Sequence, residues 1–409
     1  MTGIAAISSS SAAALTPGPN DVTAHNMAVV RLTLTNFRNY AHARIEPNAQ
    51  SVVLTGENGA GKTNVLEAIS FLAPGRGLRR AKLSEVTRSD ARDVEVDPSR
   101  CWAVAAKLGQ GDDCVDLGTG LDPDATTVRD RRIVRVDGET ERSQAVLSEH
   151  VAVVWLTPQM DGLFIEGPGG RRRFLDRLVY AADPAHAGRV SAYEQAMRER
   201  ARLLSDRGTG ADAGWLDALE GTMAEKGMAV AAARRDMVGR LVAFIDDDAG
   251  PFPTADLALV GGPEAWLDDG PALAAEEKFR AQLSADRNQD AADGRTHSGP
   301  HRTDLDVRHR AKAREAGSCS TGEQKALLIG LVLAHARMQA VEQGRCPILL
   351  LDEVAAHLDQ ERRLALFDLI DGLGTQAWLT GTDPVLFDGM RGRAGFFDVN
   401  NGAIHQTQI

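Results

Sequence analysis

The hydrophobic positions of this chain follow two periodicities, which occupy different regions. Short runs that are apolar throughout, or that alternate apolar with polar residues, are typical of strands. They lie at residues 28–37, 43–45, 52–54, 101–108, 114–117, 132–136, 151–156, 305–307, 347–351, 377–379 and 396–399. We expect the last of these runs to be the final strand, and the runs between residues 101 and 136 to form an antiparallel sheet.

Longer segments with apolar residues three and four positions apart are typical of helices. They lie at residues 64–72, 171–181, 184–204, 215–245, 272–285, 322–342 and 360–370. Between them, the Pro/Gly-rich residues 251–270 predict less regular structure and the polar residues 288–298 predict a mobile segment. Strands alternate with helices at both ends and the middle is helical, so the pattern predicts one split α/β domain with an inserted helical arm.

A glycine-rich turn joins the strand at residues 52–54 to the next helix. It contains Gly56, four further residues, and then Gly61, Lys62 and Thr63, which is the P-loop pattern in its strand–loop–helix context. Glycines allow backbone N–H groups to point at phosphate oxygens, and the helix N-terminus adds the positive end of its dipole. We therefore expect Lys62 to bind the β- and γ-phosphates of a nucleotide and the Thr63 hydroxyl to bind Mg²⁺.

A second apolar strand, at residues 347–351, is followed directly by Asp352 and Glu353. Two acids after a buried strand can simply cap a helix. In a chain with a P-loop we favour nucleotide chemistry, in which Asp352 holds Mg²⁺ and Glu353 acts as the general base that polarises the attacking water. The long separation of these acids from the P-loop is explained by the helical insertion.

Ser320, Thr321 and Gly322 stand at the predicted start of a helix, just before that acidic strand. Local physics alone favours an ordinary helix cap, with Glu323 completing a capping box. A hydroxyl and exposed N–H groups at a helix N-terminus can also bind an anion. The position before the acidic strand favours this second interpretation.

The bulk composition describes an ordinary globular chain, with 409 residues, 43% hydrophobic and 25% charged. The net charge of −11 argues against a nonspecific nucleic-acid coat but not against a local basic patch. The four cysteines lack metal-ligand spacing and predict reduced thiols in a cytoplasmic protein. Residues 1–26 predict a disordered tail, so Met27 is a candidate start, and no apolar run is long enough for a membrane span.

Taken together, the motifs resemble the heads of ABC-type ATPases, in particular the SMC/Rad50-like repair ATPases and, among these, the RecF family of recombination mediators. Six segments carry the resemblance in order along the chain. They are LTNFRNY (residues 34–40), GENGAGKTNVLEAI (56–69), PGGRRRFLDR (168–177), SGPHRTDL (298–305), STGEQKALL (320–328) and LLLDEVAAHLD (349–359). The resemblance covers residues 29–399.

The resemblance implies a fold and a division of the chain. The fold is α/β, an ABC-type P-loop ATPase head with a mixed sheet and an antiparallel β subdomain, plus an inserted α-helical arm domain. The implied division is a tail (residues 1–26), the N-terminal part of the head (27–166), the helical arm (167–297) and the C-terminal part of the head (298–409).

The resemblance also implies roles for residues in an ATP and Mg²⁺ site. The residues implied to contact ATP are Arg38, Asn39, Gly56, Glu57, Asn58, Gly59, Ala60, Gly61, Lys62, Thr63, Asn64, Ser320 and Gly322. Gln159 looks like the residue that senses Mg²⁺ and the attacking water, alongside Thr63 and Asp352 as metal ligands and Glu353 and Lys62 as catalytic residues. Asp359 looks like the aspartate at a dimer seam. The switch position, a His in transporters, falls at Thr382 and Asp383, which implies slow hydrolysis.

RecF-like proteins dimerise head to tail on ATP, so the resemblance implies that Ser320 and Gly322 reach the γ-phosphate bound at the partner's Lys62. It implies ATP-dependent binding of gapped or single-/double-strand junction DNA and a weak, DNA-stimulated ATPase that acts as a switch. The implied protein partners are RecR and RecO, with which the family loads RecA on gaps during DNA repair.

Two basic clusters are candidates for contacts with DNA phosphates. The first contains Arg76, Arg79, Arg80 and Lys82, and a solvated loop explains it equally well. For the second, residues 171–173, internal ion pairs with carboxylates such as Asp176 are the stronger explanation. His301 and Arg302 are expected near the nucleotide or at a subunit interface, without a choice between the two.

Three alternatives stay open at this point. Another SMC/Rad50-like repair ATPase is disfavoured because the insertion is too short for a long coiled-coil arm. An ABC transporter subunit is disfavoured by the helical insertion and by the missing switch His. A metabolic P-loop kinase is disfavoured by the Ser-x-Gly segment and by the very late acidic pair.

Overall fold

A computed structural model of the chain describes residues 28–47, 51–88, 101–110, 113–123, 131–207, 210–246 and 250–407. The predicted tail, residues 1–26, and the candidate start Met27 lie outside these described residues. Among the described residues, no helix combines the length and the apolar character that crossing a lipid bilayer requires.

The described strands and helices are numbered along the chain. The strands are β1 (Ala28–Phe37), β2 (Tyr40–Ile45), β3 (Ser51–Thr55), β4 (Ala103–Gln110), β5 (Asp113–Leu121), β6 (Arg132–Val136), β7 (Glu139–Glu141), β8 (Val153–Leu156), β9 (Ala255–Val260), β10 (Asp304–His309), β11 (Arg314–Glu315), β12 (Ile348–Leu351), β13 (Ala377–Gly381), β14 (Ala394–Asn400) and β15 (Ala403–Thr407). The helices are α1 (Lys62–Ser70), α2 (Leu83–Val86), α3 (Leu147–His150), α4 (Pro168–Ala182), α5 (Ala185–Arg207), α6 (Ala213–Asp246), α7 (Gly262–Asp269), α8 (Ala272–Ala285), α9 (Arg287–Asp293), α10 (Thr321–Gln343) and α11 (Gln360–Leu373).

The central sheet has the strand order β15-β14-β3-β13-β12-β8, and its strands are parallel except for β15 at the edge. Strands β3 and β12 are buried along their whole length, as expected for strands covered on both faces. Strand β13 lies between them, so the carboxyl ends of all three meet at one edge of the sheet. That edge is where an open parallel sheet places a ligand site.

The antiparallel sheet has the order β2-β1-β4-β5-β6-β7. Its inner face shares one core with α1 and with part of the central sheet; Leu32, Leu34, Val104, Val65 and Trp378 all lie in it. Alternation along β4 explains this arrangement, because Val104, Ala106 and Leu108 point inward and their neighbours outward. The predicted antiparallel sheet beside the P-loop is therefore confirmed, and so is the α/β fold class.

Helices α5, α6, α8 and α9 form the helical region in the middle of the chain. Tyr193, Met223 and Phe279 belong to its own apolar cluster. Beside this cluster Arg200 is fully buried, and it donates to Glu220 (2.9 Å) and Asp290 (2.6 Å). A buried guanidinium needs such partners, because an unpaired charge in the interior is costly.

Three expectations from the sequence are wrong. Residues 251–270 are not irregular, since they contain β9 and α7, and β9 pairs with β10. Residues 288–298 are not a mobile polar segment, because most of α9 lies there and its Asp290 is buried against Arg200 and His297. The last strand is β15 rather than the run at residues 396–399, which forms part of β14.

Candidate nucleotide-binding site

The glycine-rich turn after β3 needs glycine for space as well as for backbone angle. Gly56 has φ +147°, and a Cβ there would meet the Val399 carbonyl oxygen at 2.2 Å. Gly61 has φ +118°, and a Cβ there would meet the side chains of Asn39 (2.5 Å) and Tyr40 (2.7 Å). The turn is thus held between β14 on one side and the β1–β2 connection on the other.

Lys62 begins α1 and is almost fully buried. Its Nζ donates to the carbonyls of Gly56 (2.7 Å) and Glu57 (2.9 Å), which lie at the beginning of the turn, and lies 3.9 Å from Glu353 Oε1. The turn therefore curls around a positive charge, which is suited to pair with a nucleotide phosphate. Residues 57–59 at the tip of the turn are exposed, whereas residues 60–62 are buried.

The two halves of the predicted site meet at Asp352, although they are far apart in sequence. Thr63 Oγ1 donates to both carboxylate oxygens of Asp352, at 2.9 and 3.1 Å. Magnesium is typically held in proteins by one or two side-chain oxygens together with phosphates and waters. A hydroxyl and a carboxylate side by side fit such an ion, and among the described residues no larger cluster of His, Cys, Asp or Glu competes as a metal site.

Thr380, which was not among the predicted site residues, joins these acids. Its hydroxyl donates to Asp352 Oδ1 (2.8 Å) and accepts from the Glu353 backbone N–H (2.9 Å). Glu353 has a left-handed backbone with φ +56°, so this bond fixes a conformation that costs energy. A Thr near the carboxyl end of an otherwise apolar strand, β13, is the signal that could have identified it.

The switch position expected at Thr382 and Asp383 lies beyond β13, and both residues are exposed. Asp383 accepts a hydrogen bond from the Val385 backbone N–H (3.0 Å) and so caps the turn that follows. The hydroxyl beside the acids is that of Thr380, two residues earlier.

The connection between β1 and β2 braces the glycine-rich turn. Asn39 donates to the Ala60 carbonyl (2.9 Å) and accepts from Asn64 (2.8 Å), while the Tyr40 hydroxyl donates to the Gly61 carbonyl (3.0 Å). Burial raises the pKa of Tyr40, so the hydroxyl remains a donor. These contacts place Asn39 and Asn64 at the turn, while their implied contact with ATP stays a prediction.

Arg38 lies on the same connection but its side chain is held by Glu67 of α1. Its guanidinium donates to both carboxylate oxygens of Glu67, at 2.8 and 2.6 Å, and to the Glu85 carbonyl (2.8 Å). Glu67 was not among the predicted site residues. An acid within an apolar helix face, facing a sheet, is the pattern that marks it.

Within the part of the chain that the structure describes, no hydrogen bond joins Ser320, Gly322 or Gln159 to the glycine-rich turn or to the two acids. Ser320 caps α10: its Oγ accepts from the Glu323 N–H, and the Glu323 carboxylate accepts from the Ser320 N–H (3.1 Å). The capping box favoured by local physics is therefore present. Ser320, Gly322 and Gln159 are all exposed.

Asp359 and the loop of Gln159 have contacts elsewhere. Asp359 caps α11 by accepting from the Arg362 N–H (2.8 Å) and is exposed. Gln159 follows β8 in a short turn, and Asp161 in the same loop pairs with the buried Lys325 of α10 (3.3 Å).

The basic clusters are only partly available to a ligand. Arg76, Arg79, Arg80 and Lys82 are all exposed, but the Arg79 guanidinium is already paired, since it donates to Glu67 (2.9 Å) and to Asn64 (2.7 Å). Internal pairing is also confirmed for Arg171, but its partner is Asp304, at 2.7 and 2.8 Å, and not Asp176.

Asp176 lies on α4, beside the helical region, and His301 packs against α5 of that region. Asp176 accepts two bonds from Arg234, both at 2.8 Å, and lies 2.9 Å from His186. His301 lies 2.6 Å from the Tyr193 hydroxyl, and burial lowers its pKa. His301 is thus part of the packing against α5.

Comparison with known proteins extends over nearly the whole chain. The model of the family described as RecF/RecN/SMC N terminal domain matches residues 28–405. The protein named "DNA replication and repair protein RecF" in Mesorhizobium japonicum is 50% identical over 382 residues, which are 93% of this chain and 98% of the relative. The protein of the same name in Rhizobium rhizogenes is 50% identical over 386 residues, 94% of this chain and 100% of the relative.

Solved structures give the same fold. A structure described as the recombination mediator protein RecF-ATPrS in the RecFOR pathway has a TM-score of 0.79 at 22% identity, covering 94% of this chain and all of that one. An SMC head domain from Pyrococcus furiosus, bound to the C-terminal domain of ScpA, has a TM-score of 0.51 at 15% identity, covering 94% and 96%. At these identities the likeness concerns the fold.

Proposed function

Because this chain belongs to the RecF family, we propose that it is an ATP-dependent DNA-binding protein of replication and repair. The related structures are described as RecF with ATP or ATPrS, and the relatives are named for DNA replication and repair. Membership in this family also removes the reasons for considering a transporter subunit or a metabolic kinase.

The observation that carries the proposal is the hydrogen-bonded chain from Thr63 through Asp352 and Thr380 to Glu353, with Lys62 beside it. One hydroxyl and one carboxylate can hold Mg²⁺ against the nucleotide, where the ion would neutralise phosphate charge. Glu353 keeps a partly exposed carboxylate and is suited to accept a proton from water. Gln159 is proposed to sense the same ion and water from its exposed loop.

The site is proposed to be completed by a second copy of the chain. Ser320 and Gly322 are exposed at the N-terminus of α10, where a hydroxyl and N–H groups can face a partner's γ-phosphate. Asp359, also exposed, is proposed to lie at the same seam. ATP binding would then favour the dimer, and slow hydrolysis would release it, because a ligand shifts a population only through the state to which it binds better.

The proposed DNA substrate is gapped DNA or a junction of single and double strands, held by the ATP-bound dimer. The proposed protein partners are RecR and RecO, which would help to load RecA; a related structure is described as belonging to the RecFOR pathway. We also propose the domain division inferred from the sequence, with the head in residues 27–166 and 298–409 and the arm in residues 167–297.

Sedimentation tests the dimer and its dependence on ATP and DNA. Replacing Glu353 by Gln removes the general base but keeps the size of the side chain, so ATP should remain bound. We expect Glu353→Gln to hydrolyse ATP at least about tenfold more slowly and to accumulate as an ATP-bound dimer on gapped DNA.

Lys62→Ala is the matched variant at the other end of the same ion pair. It should lose nucleotide binding and, with it, the dimer. A wild-type protein that stays monomeric with ATP and does not bind DNA would refute the proposed clamp.

A further inference from the structure

We propose that Glu67 couples ATP binding to DNA binding. Its one carboxylate holds both Arg38, on the connection between β1 and β2, and Arg79, in the basic segment (residues 75–82). This inference rests on the proposed function, since it explains how that function's two ligands affect each other. The proposed bridge, Arg38–Glu67–Arg79, can be broken without removing either binding site.

The bridge is defined by short contacts around a fully buried acid. Glu67 has no exposed surface, and both of its oxygens are used. Oε1 accepts from Arg38 (2.6 Å), while Oε2 accepts from Arg38 (2.8 Å) and from Arg79 (2.9 Å). A buried carboxylate with two guanidinium partners is held firmly, because loss of either partner leaves charge less well compensated.

On the nucleotide side, Arg38 is continuous with the residues that shape the P-loop. The next residue, Asn39, donates to the Ala60 carbonyl (2.9 Å), and Asn64 in turn donates to Asn39 (2.8 Å). Arg38 itself has a left-handed backbone with φ +54°. Such a conformation persists only where surrounding contacts hold it, and the ion pair of Arg38 with Glu67 is one of these contacts.

On the DNA side, Arg79 connects the bridge to the exposed cations of the basic segment. Arg79 also donates to Asn64 (2.7 Å), which lies one helical turn before Glu67 on α1. Arg80 is the next residue, Arg76 and Lys82 lie on either side of it in sequence, and all three side chains are exposed. Phosphate contacts to these exposed cations would act on a segment that Arg79 anchors to α1, the helix that begins at Lys62.

The segment after Arg79 makes a second contact with Arg38. The Glu85 carbonyl of α2 accepts from the Arg38 guanidinium (2.8 Å), and the Arg38 backbone N–H donates to the Val86 carbonyl (2.8 Å). The basic segment, α2 and the loop of Arg38 therefore form one hydrogen-bonded unit. A ligand that fixes one side of this unit reduces the freedom of the other side, which gives positive coupling.

Coupling between two ligands is reciprocal, and this makes the inference measurable. The factor by which ATPγS strengthens DNA binding must equal the factor by which DNA strengthens ATPγS binding. We expect a factor of about tenfold or more in the wild type, within the usual range for coupled sites. It is measured by fluorescence anisotropy of a labelled gapped duplex with and without ATPγS, and by nucleotide titration with and without that duplex.

The decisive variant is Arg79→Ala, which cuts the bridge but leaves the pair of Arg38 with Glu67. It should lower the coupling factor at least about threefold, whatever its effect on DNA affinity alone, while the contacts of Arg38 with Glu85 and Val86 remain. Arg76→Ala is the matched control, because it removes a positive charge from the same segment without touching Glu67. It should weaken DNA binding equally with and without ATPγS, and so leave the coupling factor at its wild-type value.

A third variant, Glu67→Gln, should lower the coupling factor as Arg79→Ala does and also weaken nucleotide binding, because Arg38 then lacks its charged anchor. If that variant does not fold, Arg79→Ala still tests the bridge. Arg79 is partly exposed, so its replacement should not prevent folding. A wild-type coupling factor retained in Arg79→Ala would overturn the bridge alone. A wild type without any coupling would overturn the proposed ATP-dependent DNA binding as well, so the two failures are distinguishable.

Discussion

At the scale of single residues, the site depends on a side chain that belongs to no phosphate-binding motif. The Thr380 hydroxyl is bonded at once to Asp352 and to the backbone of Glu353, and it is almost fully buried. It therefore fixes the relative position of the proposed metal ligand and the proposed base. Its removal should affect both stability and turnover.

Thr380→Val keeps the shape of the side chain and removes the hydroxyl. The free energy of unfolding should fall by about 1–3 kcal/mol, because buried hydrogen-bonding groups lose their partner. ATP hydrolysis should fall at least about tenfold, since the strained backbone of Glu353 loses its support. Urea unfolding and an ATPase assay measure the two effects.

Thr380→Ser is the control, since it retains the hydroxyl and should keep most of the activity. Wild-type hydrolysis in Thr380→Val would show that the bond does not position the acids.

At the scale of elements, the N-terminus of α10 has one observed role and one proposed role. Ser320 caps this helix through a capping box with Glu323, and the pairing of Glu323 with Lys312 contributes most to lowering the pKa of Glu323 to about 2. The same exposed hydroxyl is proposed to face the partner's γ-phosphate. A substitution that preserves a cap but repels an anion separates the two roles.

Ser320→Asp is such a substitution, because Asp is as good a cap as Ser. The free energy of unfolding should stay within about 0.5 kcal/mol of the wild type. The ATP-driven dimer should be lost, because the added carboxylate would oppose the γ-phosphate. Analytical ultracentrifugation with ATP measures the dimer, and thermal unfolding measures stability.

Ser320→Ala gives the opposite pattern and serves as the control. It should lose about 1 kcal/mol of stability through the missing cap while the dimer is weakened but still forms. A normal dimer of Ser320→Asp with ATP would mean that Ser320 is only a helix cap.

At the scale of the whole molecule, α10 ties the C-terminal part of the chain to the base of the helical region. His335 of α10 is fully buried and lies 3.0 Å from the Leu178 carbonyl of α4, and Arg240 of α6 pairs with Glu342. Burial lowers the pKa of His335 to about 4, and the positive charges of Arg177 and Arg240 add to this effect. The packing of α10 against α4 and α6 is therefore sensitive to acid.

The sign of that sensitivity follows from proton linkage. The unfolded chain takes up a proton on this His below about pH 6.5, whereas the folded chain resists until about pH 4. Stability is full above the unfolded pKa and decreases as the pH falls towards 4. Between about pH 7.5 and pH 5 the contribution of His335 to the free energy of unfolding should decrease by about 2 kcal/mol.

His335→Leu removes the titrating group and should show a smaller loss of stability over the same pH interval. Urea unfolding at the two pH values measures this difference, and comparing losses within each variant removes any constant cost of the substitution. An equal loss in both proteins would show that His335 does not titrate as the structure indicates.

The sequence by itself determined the features that depend on neighbouring residues. The P-loop from Gly56 to Thr63, strand β1 and helix α8 follow from local spacing, turn chemistry and periodicity, and the order of six motifs indicated the family. The capping box at Ser320 is equally local, because its partner Glu323 lies three residues away.

Tertiary structure alone decided which distant residues meet. Thr380 reaches Asp352 because β13 lies beside β12 in a parallel register, and no local pattern encodes that neighbour. Arg171 pairs with Asp304 rather than Asp176 for the same kind of reason, since α4 faces β10. Local rules fix the conformation of a segment, but ion pairs and shared carboxylates such as Glu67 depend on how separate segments are packed.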